Sequence, residues 1–174
     1  MKITRNIFFV FCVVAFYSCI KIQTLPPEPR VEYTSFEVFD TLDLLGNNVK
    51  GGELKFYFED GDGDLGYLQP GMEEEVDSVN LFFTLYRINN GVESLAPEDD
   101  PLEPSDYRIP YMERQGQNKI LKGTISITFM YLFYSAEDTI KYDFIIKDRA
   151  GNLSNTASTS VIPLYYNGTY TETN

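Results

Sequence analysis

From Val31 onward the apolar residues recur at every second position, the period of a strand with one buried face. No stretch keeps the helical spacing of an amphipathic helix. Glu32–Phe39 reads as a first strand. Glu53–Glu59 alternates Leu54, Phe56 and Phe58 with Lys55, Tyr57 and Glu59. Ser78–Ile88 sets Leu81, Phe83 and Leu85 on one face. Tyr107–Met112 is short and contains Pro110, which lacks an amide donor and suits only a sheet edge. Lys119–Phe133 alternates Ile125, Ile127 and Phe129 with Thr124, Ser126 and Thr128. Thr139–Lys147 turns Ile140, Tyr142, Phe144 and Ile146 inward, and Leu153–Leu164, rich in Ser and Thr, closes the set. About seven strands, each with one apolar face and joined by turns rich in Gly, Asn and Asp, predict an all-β antiparallel sandwich.

Two connections exceed what a minimal sandwich needs. Gln69–Asp77 contains Glu73, Glu74 and Glu75; Asn89–Asn118 contains Pro97, Pro101 and Pro104 and is expected to form a flap over one sheet. Phe and Tyr number 13 each and Trp is absent. Phe56, Phe58, Phe83, Phe129 and Phe144 fall at inward positions and are assigned to the core. Tyr165, Tyr166 and Tyr170 are less easily buried and are candidates for contact with a partner or a glycan.

The N-terminal residues follow a different pattern. Lys2 and Arg5 precede Ile7–Tyr17, an unbroken apolar run of 11 residues, against the ~20 that a bilayer-spanning helix needs. The run ends in Phe16-Tyr17-Ser18-Cys19, which resembles the lipobox of bacterial lipoproteins. That resemblance implies a signal peptide over residues 1–18 and lipidation of Cys19. Residues 19–30 then form a linker stiffened by Pro26, Pro27 and Pro29, residues 31–165 the sandwich, and residues 166–174 a tail. Cys12 would leave with the signal, so the mature chain would hold no free thiol and no disulfide.

Asp and Glu total 26 against 14 Lys and Arg, a net charge of −12 that becomes −14 once Lys2 and Arg5 are removed. An acidic chain without a basic stretch repels phosphate, so no nucleic-acid partner is expected. The absence of histidine removes Ser-His-Asp and Cys-His nucleophile activation, imidazole zinc sites and histidine switching. Acidic residues are spread along the chain and no pair is singled out for glycoside hydrolysis, so the chain is not expected to be an enzyme.

The sharpest local chemistry is Asp60-Gly61-Asp62-Gly63-Asp64-Leu65-Gly66. On a flat strand alternate side chains stand ~6.6–6.8 Å apart, too far to share one ion. Gly61 and Gly63 let the backbone curl, so that Asp60, Asp62 and Asp64 can converge on a Ca²⁺, which takes oxygen ligands. An EF-hand is excluded: counted from Asp60, its glycine and glutamate positions hold Leu65 and Gly71. A second turn, Asp148-Arg149-Ala150-Gly151-Asn152, reads as a tight hairpin.

A strand followed by Asp-x-Ala-Gly-Asn and a Ser/Thr-rich strand resembles the end of many bacterial immunoglobulin-like domains. Tyr33-Thr34-Ser35-Phe36, the Asp60–Gly66 run and Asp148–Asn155, in that order, resemble uncharacterised Bacteroidota cell-envelope lipoproteins with such a domain. The resemblance covers most of the mature chain and implies no biochemical activity. In an immunoglobulin-like sandwich the loops after the second and sixth predicted strands emerge at one end. Asp148, with Asn152, is therefore expected to face Asp60, Asp62 and Asp64 and complete a metal site.

The expected setting is the cell envelope, lipid-anchored at the outer membrane on its periplasmic face or at the cell surface. Surface export in Bacteroidota is associated with acids directly after the lipidated cysteine, whereas here Ile20-Lys21-Ile22-Gln23 follow. The expected function is a structural or interaction module with an envelope-protein partner. The alternative is a glycan-binding accessory lipoprotein of an outer-membrane uptake system. Asp40-Thr41-Leu42, Asp77-Ser78-Val79 and Asp138-Thr139-Ile140 also resemble Bacteroidota O-glycosylation sequences. Asn152-Leu153-Ser154 and Asn167-Gly168-Thr169 match the eukaryotic N-glycosylation pattern, which has no role in a bacterial lipoprotein.

Overall fold

The structure, a computed structural model, describes residues 25–68, 79–113 and 119–172. The predicted signal peptide, Cys19, the start of the linker, the acidic stretch at 69–77 and the Asp77-Ser78 motif lie outside the described residues.

All strand pairs are antiparallel, and the described residues contain no helix. The strands are β1 (Arg30–Leu42), β2 (Asn48–Asp60), β3 (Leu81–Asn89), β4 (Val92–Leu95), β5 (Leu121–Tyr131), β6 (Thr139–Ile146), β7 (Ala157–Ser158), β8 (Ile162–Pro163) and β9 (Gly168–Tyr170). One sheet has the order β5-β2-β1-β9. The other runs β4-β3-β6-β7, with β8 also paired to β6.

The two long strands, β1 and β2, form a hairpin. Its turn is held by the Asp43 carboxylate, which accepts the amides of Leu45 and Asn47, and by Gly46 at φ 84°. Gly51 and Gly52 on β2 lie beneath the rings of Phe39 and Phe36, where a side chain has no room. The alternation read from the sequence becomes the core: Leu54, Phe56, Phe58, Leu81, Phe83, Leu85, Ile140, Tyr142, Phe144 and Ile146 are all buried. Rings from the two sheets meet across it, with Phe56 5.0 Å from Phe144 and Phe83 5.6 Å from Phe129 between centroids. Such pairs stabilise beyond their area by about 0.5–1.5 kcal/mol each.

The structure departs from the sequence reading in four places. Asn90 (φ 51°) and Gly91 (φ 76°) make a two-residue turn that starts β4, inside the stretch expected as one long connection. The predicted strand Tyr107–Met112 makes only isolated bridges, Tyr107 to Leu81 and Pro110 to Tyr67. Leu153–Leu164 splits into β7 and β8. β9 falls within the predicted tail and pairs with β1, so the sandwich extends to Tyr170 rather than ending at 165.

The described part of the flap, residues 89–113, is held by side-chain bonds; residues 114–118 lie outside the described residues. The Arg87 guanidinium holds Asp100 through two bonds of 2.7 and 2.6 Å and Asp138 through a third of 2.6 Å. Burial opposes the charge on Asp100, but the bonds from Arg87 and the Leu102 amide outweigh it and hold the carboxyl below its ordinary range. Leu102 and Ile109 are buried in the core, and the Tyr142 hydroxyl donates to the Leu102 carbonyl. The flap thus plugs one open side of the sandwich.

Candidate metal centre

β2 delivers Asp60 to the end of the first sheet, and β6 ends at the same end, just before Asp148. Asp60 is fully buried. Its carboxylate accepts the Gly63 amide at 3.1 Å and the Leu65 amide at 2.7 Å, folding the chain back on itself. Gly63 (φ 68°) and Gly66 (φ 91°) take the left-handed conformations this curl requires. Leu65 and Tyr67 are buried, and Tyr67 exchanges backbone bonds with Ile109 and Tyr111 of the flap. The carbonyls of Leu25 and Pro26 pack directly on Gly61, where a Cβ would collide with them. The loop is therefore clamped by its own aspartate, by the core, by the flap and by the linker.

Within this curl one carboxylate oxygen each from Asp60, Asp62 and Asp64 lies within 4.8 Å of the others. Oxygens sharing one Ca²⁺ at about 2.3–2.6 Å stand no more than ~5 Å apart, so the three fit a single ion. Asp64 carries the clearest sign of unmet electrostatic demand. Its Oδ2 accepts the Ala150 amide at 3.1 Å, but its Oδ1 is buried and accepts no hydrogen bond. Burial, followed by the charges of Asp148, Asp62 and Asp60, pushes its carboxyl up to about 6, with Arg149 partly offsetting them. Burial, and then the nearby Asp62, also raise Asp60 against the hydrogen bonds it accepts. A divalent cation at this point would offset the repulsion and supply the missing partner for Asp64.

The second turn does meet the first. The Arg149 amide reaches the Asp64 carbonyl at 3.4 Å, and the Arg149 guanidinium donates to the Gly66 carbonyl at 2.7 Å while stacking over Tyr111. Asp148 is fully buried and close enough to raise Asp64, but it stands outside the three-carboxylate group. Its two oxygens accept the Asn152 backbone amide (2.7 Å) and side-chain amide (2.8 Å), which shapes the hairpin around Gly151 at φ 90°. Asn152 is thereby engaged with Asp148. The structure brings together Asp60, Asp62 and Asp64, and sets Asp148 and Asn152 behind them as a bonded pair.

Two participants were not singled out in the sequence. Arg149 is the cation that partly offsets the charges around Asp64, and a basic residue inside a turn expected to face three aspartates was the available signal. The packing of Leu25 and Pro26 on Gly61 had no local signal, because it joins segments more than thirty residues apart.

Comparison with known protein families, with curated proteins and with solved structures returns no match to this chain.

Proposed function

We propose that this chain is a lipid-anchored, immunoglobulin-like structural or interaction module of the bacterial cell envelope, with a Ca²⁺ site at one loop end. The observation that carries the reading is the convergence of Asp60, Asp62 and Asp64 around a buried, unsatisfied oxygen of Asp64, on a loop clamped at every side. Such a loop is arranged to present oxygens to a cation. The strand order supports the immunoglobulin-like assignment: β5-β2-β1 facing β4-β3-β6-β7 follows the E-B-A and C′-C-F-G order of that fold. In this reading the ion site lies on the anchored side, since the linker leading back to Cys19 packs on Gly61.

The glycan-binding alternative has one observation in its favour. Tyr165 and Tyr166 are exposed and in ring contact 5.2 Å apart. Their rings meet edge to face, at 86°, instead of forming the flat platform on which a sugar stacks.

A thermal melt of the full chain in detergent tests the ion site, first in EDTA and then in millimolar Ca²⁺ or Mg²⁺. Tyrosine emission can report it, because the chain has no tryptophan. An ion at 100 times its dissociation constant stabilises by ~2.7 kcal/mol. A calcium-selective rise, lost in Asp62→Ala, is the expected result. Superimposable melts in all three conditions would remove the metal from the reading.

A further inference from the structure

We propose that the outer edge of β5 is a docking site for an extended strand of a partner polypeptide in which apolar and acidic residues alternate. The inference deepens the interaction-module reading and rests on it only for its cellular setting.

β5 pairs with β2 on one side only. Among the described residues, no backbone hydrogen bond outside that ladder involves residues 121–131. Among the described residues, nothing pairs with the outer side of these eleven residues, which include neither proline nor an acid and leave a row of backbone donors and acceptors available. The other edges are blunted. β4 has four residues and leads into Ala96-Pro97, β9 has three, and β7 and β8 have two each. On the outer side of β1, β9 pairs with Phe36–Val38, and the Asn155 side chain both accepts from and donates to the Val31 backbone. A fold that protects its short edges and leaves its longest one open has a use for that edge.

The inward row of β5 is also incomplete. Phe129 and Tyr131 are buried, but Ile125 and Ile127 in the same row are only half-buried. Beside them runs a groove of about 450 Å³, whose far wall is Tyr107, Ile109 and Met112 of the flap. A strand added to β5 would satisfy the open backbone groups and lay every second side chain over these residues.

Charge selects the partner. The chain has 26 acidic residues, yet none lies between Asn118 and Ala136, where Lys119 and Lys122 stand exposed. Arg108 is the charged residue in the groove wall among the described residues. Lys122 faces Glu59 on β2 and leaves its opposite flank open to an incoming acid. A second copy fits less well, because β5 against β5 offers Lys122 no acid to meet: the strand has none.

The test uses the purified full chain in detergent and a fluorescein-labelled, eight-residue peptide of alternating Glu and Val, with alternating Lys and Val as the control. The expected results are saturable binding by anisotropy, slowed hydrogen exchange confined to β5, and affinity roughly fivefold or more lower for the Lys peptide and for Lys122→Glu. Lys122 is exposed, so that variant retains the fold, and a melt verifies it. Weakening of wild-type binding by salt gives the same reading without any substitution. Equal binding of both peptides, or no exchange protection in 121–131, overturns the proposal. So does a doubled mass by light scattering with β5 already protected in the absence of peptide, which assigns the edge to a second copy. Peptide binding is read in EDTA, so its failure is separate from failure of the ion site.

Discussion

Asp64 shows how one residue can hold opposing demands. It sits among three other aspartates with Arg149 as partial counter-charge, and its carboxyl is pushed up to about 6 from an ordinary 3.8. A raised carboxyl binds its proton more tightly in the folded chain than in the unfolded one. Between about pH 4 and 6 the folded state therefore holds more protons, and stability falls as pH rises through that window. The full cost is present at neutral pH in the metal-free protein. Solvent screening of this partly exposed group limits it to roughly 1 kcal/mol, or about 3 °C in Tm. In EDTA, Asp64→Asn should flatten part of the decline in Tm from about pH 4 to pH 6, and Ca²⁺ should flatten it in the wild-type chain. Parallel pH profiles for the two proteins in EDTA would show that Asp64 carries no such strain. The convergence of Asp60, Asp62 and Asp64 was legible in the sequence, because alternating glycines make the curl a local matter. The pairing of Asp148 with Asn152, four residues on, is equally local; that Asp148 stays outside the three-carboxylate group was decided by how the two loops pack.

Strands were legible to the extent that they are long and face one core. β2, β3, β5 and β6 lie where period-two alternation put them, since burying one face is a local pattern with a global reward. Asn90-Gly91 is a strong hairpin signal, and it breaks what is expected from proline and acid content as a single long connection. Leu153–Leu164 has the composition of a strand, but its register is decided by β6. Asp143 pairs with Ser158 and Thr139 with Pro163; between them the regular ladder is interrupted, and Thr159 holds Tyr142 by donating its amide and accepting at its hydroxyl. The paired glycines of β2 show the same dependence on the neighbouring strand. Glycine in a strand interior is normally weakening, yet at Gly52 a Cβ would stand 2.5 Å from Phe36 Cζ. Gly52→Val should cost about 1–3 kcal/mol by chemical denaturation. Gly168→Ala, where a Cβ meets nothing within 4 Å, should be close to neutral. Equal effects at the two positions would mean that backbone entropy, and not the Phe36 ring, explains the glycine.

At the scale of the molecule the sandwich has two unlike ends. One carries the acidic loop, the Asp148 turn and the incoming linker. The other carries the β1–β2 hairpin, where Leu44 and Leu45 are exposed, and the chain beyond β5, where Phe133 is exposed. A chain of net charge −12 is held off an anionic surface unless it is tethered. The anchoring proposal is therefore tested directly. Cys19→Ser should abolish incorporation of labelled fatty acid and move the protein from the membrane to the soluble fraction. Unchanged fractionation and labelling would place the attachment elsewhere. The substitution lies outside the sandwich, so the melt of the folded part should stay the same.

Period and composition were enough for an all-β chain with antiparallel sheets, for the inward residues of its long strands, and for the acidic loop as its chemical centre. Those features rest on neighbours in sequence: alternation along a strand, and glycine between aspartates. Distant contacts settled the rest. They folded the flap into the core through Arg87 and Tyr142, recruited the tail as β9 and set Arg149 against the acids. Among the described residues they also left the outer edge of β5 unpaired. Each of these depends on which surfaces remain uncovered once the long strands have paired, a property of the assembled sheets that no window of sequence contains.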